Sequence, residues 1–131
     1  MYNKKEFVMN KKSEVLELLT GLEIFIHWPK FGSTKEHIEN LLDENFWEIG
    51  ASGNKYEREF ILKVILERAQ KNYPENWKNE NFQCSQLSEN IFLLTYTLYQ
   101  GDRKTERSSI WEKYESGFKL VYHQGTIVKT V

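Results

Sequence analysis

The first half of the chain carries three apolar stripes with helical spacing. Aliphatic and aromatic residues recur three and four positions apart over residues 11–27, which predicts a first helix. The segment Ser33-Thr34-Lys35-Glu36 has the capping-box form and predicts the start of a second helix, which should end near Asp43. Helical spacing returns from Glu57 and continues to Ala69, which predicts a third helix.

An aromatic run lies between the second and third predicted helices. Residues 45–51 read Asn-Phe-Trp-Glu-Ile-Gly-Ala, and the turn signal Ser52-Gly53-Asn54 follows them. This pattern predicts a strand that ends in a turn. Residues 72–81 are polar and contain Pro74, so a loop is predicted there.

The second half of the chain changes to a strand pattern. Four β-rich runs cover residues 82–87, 91–100, 105–114 and 118–126. Short, turn-rich connectors separate them, which favours antiparallel hairpins over helical crossovers. The order of elements predicts an α+β fold in which helices cover one face of an antiparallel sheet.

Composition narrows the function classes. The 131 residues indicate one domain, predicted over residues 11–131 after a polar N-terminal extension at 1–10. Eighteen basic and 19 acidic residues give a net charge of −1, which argues against a nucleic-acid or anionic-membrane partner. One cysteine and three scattered histidines predict no metal site and no cofactor. Without an apolar run of membrane-spanning length or a signal peptide, a cytoplasmic location is expected.

Glu48 is the first candidate for chemistry. Strand alternation places it on the same face as Phe46 and opposite Trp47. A carboxyl group among aromatic rings has a raised pKa through desolvation, which suits a general acid or base. The alternatives are an outward-pointing, solvated carboxylate and a structural ion pair with Arg58 or Arg107.

Arg107, Ser109 and Trp111 share one face of their strand by the same alternation. A guanidinium fork, a hydroxyl and a flat ring together suit a carboxylate-bearing or planar ligand. The alternative is cross-strand packing, with Trp111 in the core and Arg107 at its edge.

His123 is the histidine best suited to acid–base chemistry. Strict alternation places it on the outer face with Lys119 and turns Gln124 inward, whereas a β-bulge would reverse both. A structural hydrogen-bonding role for His123 stays open. Tyr96 points into an apolar layer, where its hydroxyl needs Glu48, Gln124 or a ligand as partner.

Several segments resemble one family. They are Phe46-Trp47-Glu48-Ile49-Gly50-Ala51-Ser52-Gly53, Tyr56-Glu57-Arg58, Leu94-Thr95-Tyr96, Arg107-Ser108-Ser109-Ile110-Trp111 and His123-Gln124-Gly125-Thr126. In this order and spacing they resemble the DUF4440 group of the SnoaL-like, NTF2-like superfamily, over residues 15–128. The resemblance implies a cone-shaped fold, with a strongly curved antiparallel sheet wrapped around three N-terminal helices. It also implies an apolar cavity at the open end and a homodimer, but no particular reaction.

Three functions remain open at this point. The first is a binder of a small hydrophobic or carboxylate-bearing molecule, and the second is an acid–base enzyme similar to ketosteroid isomerase. The third is a dimeric interaction module that uses the outer sheet face. The enzyme gains support if Glu48 and His123, the catalytic candidates, meet at one cavity. The predicted ligand pocket consists of Trp47, Glu48, Tyr96, Arg107, Ser109, Trp111 and Gln124.

Overall fold

The computed structural model describes residues 4–129, with side chains described from residue 12 onward. Its elements are α1 (Lys4–His27), α2 (Lys35–Leu41), β1 (Leu42–Ile49), β2 (Lys55–Glu57), α3 (Arg58–Arg68), β3 (Trp77–Gln86), β4 (Ile91–Gln100), β5 (Arg103–Tyr114) and β6 (Gly117–Ile127). The α+β class and the four-strand meander β3 to β6 are confirmed. The short strand β2 was not predicted.

The described strands form one sheet in the order β2-β1-β6-β5-β4-β3. Neighbours within the meander are antiparallel, as are β1 and β2. Strand β1, however, runs parallel to β6, so the sheet is mixed rather than antiparallel throughout. Parallel pairing requires a long connection, and the chain from α3 to β5 supplies it here.

The helices differ from the predictions mainly at their ends. Helix α1 begins at Lys4, so residues 4–10 of the predicted polar extension are helical, while residues 1–3 lie outside the described residues. Thr34 rather than Ser33 is the N-cap of α2, and its hydroxyl accepts a hydrogen bond from the His37 backbone N–H at 3.2 Å. The single-domain organisation stays a prediction.

The loop predicted for residues 72–81 is wrong from Trp77 onward, because β3 begins there. Strand β3 lies at the edge of the sheet, where alternate side chains face solvent. An edge strand with this exposure tolerates the polar residues that favoured a loop.

The core lies between the helices and the inner face of the sheet. Helix α1 packs on β3 and β4, α3 on β1 and β2, and α2 on β1 and β6. The side chains buried most completely in this layer are Leu19, Ile38, Leu42, Leu94 and Trp111. Burial of such side chains stabilises the fold by roughly 1.5–3 kcal/mol for each large aliphatic residue.

A β-bulge in β6 decides which side chains reach this inner layer. Ile110 pairs with Tyr122, but the next residue, Trp111, pairs with Leu120, so Val121 is an extra residue in β6. Alternation is therefore reversed beyond the bulge. His123 is buried on the inner face, with 5% of its surface exposed, contrary to the strict alternation of the sequence.

Candidate functional site

A cavity of about 80 Å³ lies beneath the sheet, bordered by α1, α3, β1, β5 and β6. Its polar lining consists of Glu23, His27, Glu48, Arg68, Arg107 and His123, and its apolar lining consists of Ile26, Leu42, Phe46, Ile61, Val64, Ile65 and Leu120. Two guanidinium groups and two carboxyl groups therefore share one small space whose lining is about equally polar and apolar.

Glu23 is the deepest acidic group of the cavity, with 2% of its surface exposed. One carboxylate oxygen accepts a hydrogen bond from the Tyr96 hydroxyl at 3.0 Å, and the other accepts from Trp111 Nε1 at 3.0 Å. Burial raises the pKa of Glu23, while bonds from Ser109, Trp111 and Tyr96 oppose that rise. The carboxyl group is thus satisfied by protein donors.

His123 is bonded at both ring nitrogens. Nε2 lies 3.4 Å from Arg107 Nη1, and Nδ1 lies 2.7 Å from the Ser109 hydroxyl oxygen. A guanidinium only donates, so Nε2 accepts, and the ring proton is assigned to Nδ1. Burial, with smaller contributions from Arg107 and Arg68, lowers the pKa of His123 to about 3. The imidazole is therefore neutral at physiological pH. Together, Glu23, Tyr96, Ser109, Trp111 and His123 form what we term the deep network.

Arg107 is held in place by three contacts. Its Nε donates to the Thr105 hydroxyl at 3.0 Å, and Nη1 bonds His123. The guanidinium also lies against Gly125, its partner in β6, where a Cβ atom would come within 3.0 Å of Cζ. A glycine is needed here because of this close approach. Among residues 12–129, the other N–H donors of this guanidinium have no hydrogen-bond partner, so they are available to a ligand in the cavity.

Arg68, at the end of α3, supplies the second guanidinium. Its Nη1 donates to the His27 carbonyl oxygen at 2.9 Å. Its Cζ lies 5.5 Å from the Trp28 ring centroid and 5.6 Å from that of Trp77, so both rings contribute cation–π attraction. The aromatic rings thus fix a cation beside the cavity.

Two other cavity groups each have a polar end without a protein partner in the part of the chain whose side chains are described: the Glu48 carboxyl and His27 Nε2. Among residues 12–129, no side chain or backbone group forms a hydrogen bond or ion pair with the Glu48 carboxyl. Burial raises the pKa of Glu48 to about 7, although Arg107 and Arg68 oppose the rise. His27 Nε2 is buried without a partner among the same residues, and burial lowers the pKa of this ring well below its ordinary value. We term Glu48, His27, Arg68 and Arg107 the cavity groups.

The structure brings part of the predicted pocket together. Glu48 and Arg107 line the cavity, as does the catalytic candidate His123. Tyr96, Ser109 and Trp111 lie beneath it, bonded to Glu23 or His123. The Tyr96 hydroxyl is bonded to Glu23, not to the partners expected from sequence. The roles assigned to these residues stay predictions.

Two members of the predicted pocket lie on the outer face instead. Trp47 is 39% exposed and packs on the Tyr122 ring with centroids 4.7 Å apart. Gln124 is exposed and accepts a 2.6 Å hydrogen bond from the Tyr122 hydroxyl. The same bulge that turns His123 inward turns Gln124 outward.

Sequence reasoning missed three groups of the site: Glu23, His27 and Arg68. Glu23 interrupts the apolar stripe of α1 between Leu19 and Ile26, and a charge within such a stripe was the available signal. His27 is one turn further along the same helix. Arg68 has no comparable signal, because it follows a charged residue on a helix with a solvated face.

The described residues contain neither a membrane-spanning helix nor a cluster of metal ligands. Between residues 4 and 129, no helix has both the length and the apolar character needed to cross a membrane. In that same part of the chain, no three His, Cys, Asp or Glu side chains are grouped to hold a metal ion.

Comparison with known proteins identifies the fold. Neither a scan against models of protein families nor a search of curated proteins gave a match. Among solved structures, an NTF-2-like protein of unknown function from Pseudomonas aeruginosa has a TM-score of 0.66 at 7% identity, over 86% of this chain and 97% of that chain. The association domain of C. elegans CaMKII has a TM-score of 0.63 at 15% identity, over 90% and 96%. A candidate ketosteroid isomerase from Parabacteroides distasonis has a TM-score of 0.55 at 16% identity, over 97% and 89%. On this evidence, the chain has the NTF2-like fold.

Proposed function

We propose that the cavity binds a small carboxylate-bearing molecule with a short apolar chain. The observation that carries this proposal is the pair of guanidiniums at one small cavity, of which Arg107 is buried and Arg68 half-buried. Arg107 has free donors in a fixed orientation, and guanidiniums bind carboxylates through paired hydrogen bonds. Because the Arg107 guanidinium is already held in place, less conformational entropy is lost when a ligand binds.

The size and lining of the cavity limit the ligand. A volume of about 80 Å³ is well below the roughly 300 Å³ or more of drug-sized sites and corresponds to two or three waters. Ile26, Val64 and Leu120 are among the apolar side chains that face the remaining space. Acids of the size of acetate and propionate satisfy both limits.

The test is a comparison of ligands that differ in charge but not in shape. Acetate and propionate should raise the melting temperature in a concentration-dependent way, whereas their neutral amides, acetamide and propionamide, should not. Arg107→Lys should weaken propionate binding by about tenfold or more, because the fork is lost. The matched control, Arg103→Lys at an exposed position of the same strand, should bind as the wild type does. Equal effects of acetate and acetamide would refute the proposal.

An acid–base enzyme is the second candidate, because Glu48 and His123 line the same cavity. Since both nitrogens of His123 are bonded, Glu48 is the group left to move a proton, and Arg107 would stabilise a developing enolate. A keto acid such as pyruvate should then exchange its methyl protons in D₂O faster with the wild type than with Glu48→Gln, as followed by NMR. Equal exchange rates would refute this candidate.

The remaining expectations stay predictions. These are the DUF4440 assignment, the homodimer, the cytoplasmic location and the interaction module on the outer face. The likeness to an association domain supports measuring the oligomeric state by sedimentation velocity. A monomer at micromolar concentration would count against both the homodimer and the interaction module.

A further inference from the structure

Glu48 and a bound carboxylate would occupy the same small space. The Glu48 carboxyl lines the cavity beside Arg107 and Arg68, and no described residue within 12–129 bonds it. Any acid that reaches these guanidiniums therefore meets a second carboxyl group within about 80 Å³. Two carboxylates at such close range do not both ionise, because their repulsion raises one pKa strongly.

We infer that Glu48 and the bound acid share one proton, so that the site takes up a small monocarboxylate together with a proton. This inference rests on the proposed function. The proton comes from solvent when Glu48 is ionised beforehand, and Glu48 already carries it at lower pH. One hydrogen bond between the two carboxyl groups then replaces a repulsive contact.

The charges around the cavity support one shared proton. Arg68 and Arg107 are cations. Burial raises the pKa of Glu23, but both of its carboxyl oxygens accept hydrogen bonds, from Tyr96 and Trp111, and this acceptor-only bonding is that of a carboxylate. A bound monocarboxylate adds one negative charge, so the buried site is neutral when Glu48 is protonated. With Glu48 ionised, the same complex would hold an unbalanced negative charge in a small, partly apolar space, which is costly.

Glu48 is also the cavity group suited to titrate near neutrality. The titratable and charged groups that face it are Glu23 and His27 from α1, Tyr56 from β2, Arg68 from α3, Arg107 from β5 and His123 from β6. Burial holds the pKa of both histidines below the physiological range. Glu23 has its own hydrogen-bond donors, whereas Glu48 has none, and the pKa of Glu48 is raised to about 7.

The experiment is calorimetric titration of the full chain with propionate between about pH 5.5 and 8.5, in two buffers of different ionisation enthalpy. Affinity should be constant below about pH 6.5 and fall by about tenfold per pH unit above 7.5. Near pH 8.5, close to one proton should be taken up for each propionate bound. These measurements need no variant, so they do not depend on how a substitution folds.

The Glu48→Gln variant tests whether Glu48 is the group that takes up the proton when propionate binds. This variant should bind propionate with no proton uptake and no pH slope, while the control Glu44→Gln, at an exposed position of the same strand, should behave as the wild type. Equal wild-type affinities at the two pH limits, or an unchanged slope in Glu48→Gln, would overturn the inference and leave the proposed function standing. A lack of propionate binding at every pH would refute both.

Discussion

The deep network and the cavity groups are neighbours, yet their polar atoms are satisfied to very different degrees. In the deep network, both oxygens of Glu23 and both nitrogens of His123 have protein partners at 2.7–3.4 Å. Among the cavity groups, Glu48 has no bonded partner within residues 12–129, and His27 Nε2 is buried without one.

The difference separates structural chemistry from functional chemistry. Buried polar atoms are almost always hydrogen-bonded, and a complete network rigidifies the core around one arrangement. Unbonded polar atoms beside a cavity cost stability, and a ligand that bonds them recovers it. We therefore expect the deep network to control stability and the cavity groups to control binding.

The largest expected change in the free energy of unfolding comes from replacing Glu23, the carboxyl group of the deep network. Glu23→Gln leaves one amide oxygen for donors that now use two carboxylate oxygens, so an N–H or O–H is left unbonded. We expect a loss of about 3–4 kcal/mol in the free energy of unfolding, measured by urea denaturation. The control Glu44→Gln, exposed on β1, should change it by less than about 0.5 kcal/mol. A loss below about 1 kcal/mol in Glu23→Gln would remove the distinction between the two regions.

The second effect is a pH dependence assigned to Glu48. The folded protein keeps the Glu48 proton up to about pH 7, whereas the unfolded chain releases it near 4.5. Stabilisation by this group is thus complete below 4.5 and is lost as the pH rises through about 7. Relative to Glu48→Gln, the wild type should lose about 2 kcal/mol of unfolding free energy across that window, after allowance for partial exposure.

This comparison with Glu48→Gln is necessary because His123 has the opposite sign. Its imidazole stays neutral in the folded protein down to about pH 3, whereas the unfolded chain protonates it below 6.5. The contribution of His123 is therefore present above 6.5 and is lost as the pH falls. Parallel pH profiles of wild type and Glu48→Gln, recorded by thermal unfolding, would contradict the assignment to Glu48.

A smaller effect tests the contact that orients Arg107. Gly125→Ala places a Cβ atom 3.0 Å from the Arg107 Cζ, so the guanidinium must shift by about a few tenths of an ångström, which strains its bonds to Thr105 and His123. We expect a loss of about 1–2 kcal/mol in unfolding free energy. Gly21→Ala is the matched control, since nothing lies within 4 Å of the added atom. That helical substitution should stabilise by up to about 1 kcal/mol. If Gly125→Ala is neutral, Arg107 is not held by this glycine.

The smallest effect concerns the outer face. Gln124→Ala removes an exposed hydrogen bond to Tyr122 and should change the unfolding free energy by less than about 0.5 kcal/mol. It should also leave propionate affinity unchanged, because Gln124 lies on the face away from the cavity. Weaker propionate binding in this variant would show that the outer face contributes to the site.

The sequence predicted the positions of most helices and strands better than their exact ends. It predicted the sheet face of regularly alternating side chains, but not of those beyond the β-bulge. The helical stripes and the four-strand meander are in place because periodicity is a local property of the chain. Phe46 and Glu48 both line the cavity, as alternation predicts, although the register of β1 against β6 shifts between Leu42 and Trp47. His123 and Gln124 exchanged faces because one extra residue in β6 reverses alternation, and no local pattern indicates that residue.

By itself, the sequence determined which residues can form helices and strands and which face most of them present, because spacing of 3.6 or 2 residues is fixed along the chain. The tertiary structure alone decided that Glu23 meets Trp111, 88 positions away, and that Arg68 and Glu48 border the cavity of Arg107. Those meetings depend on the parallel pairing of β1 with β6, on the bulge and on helix packing. All three are long-range contacts, whose free energy belongs to the whole fold rather than to any segment of it.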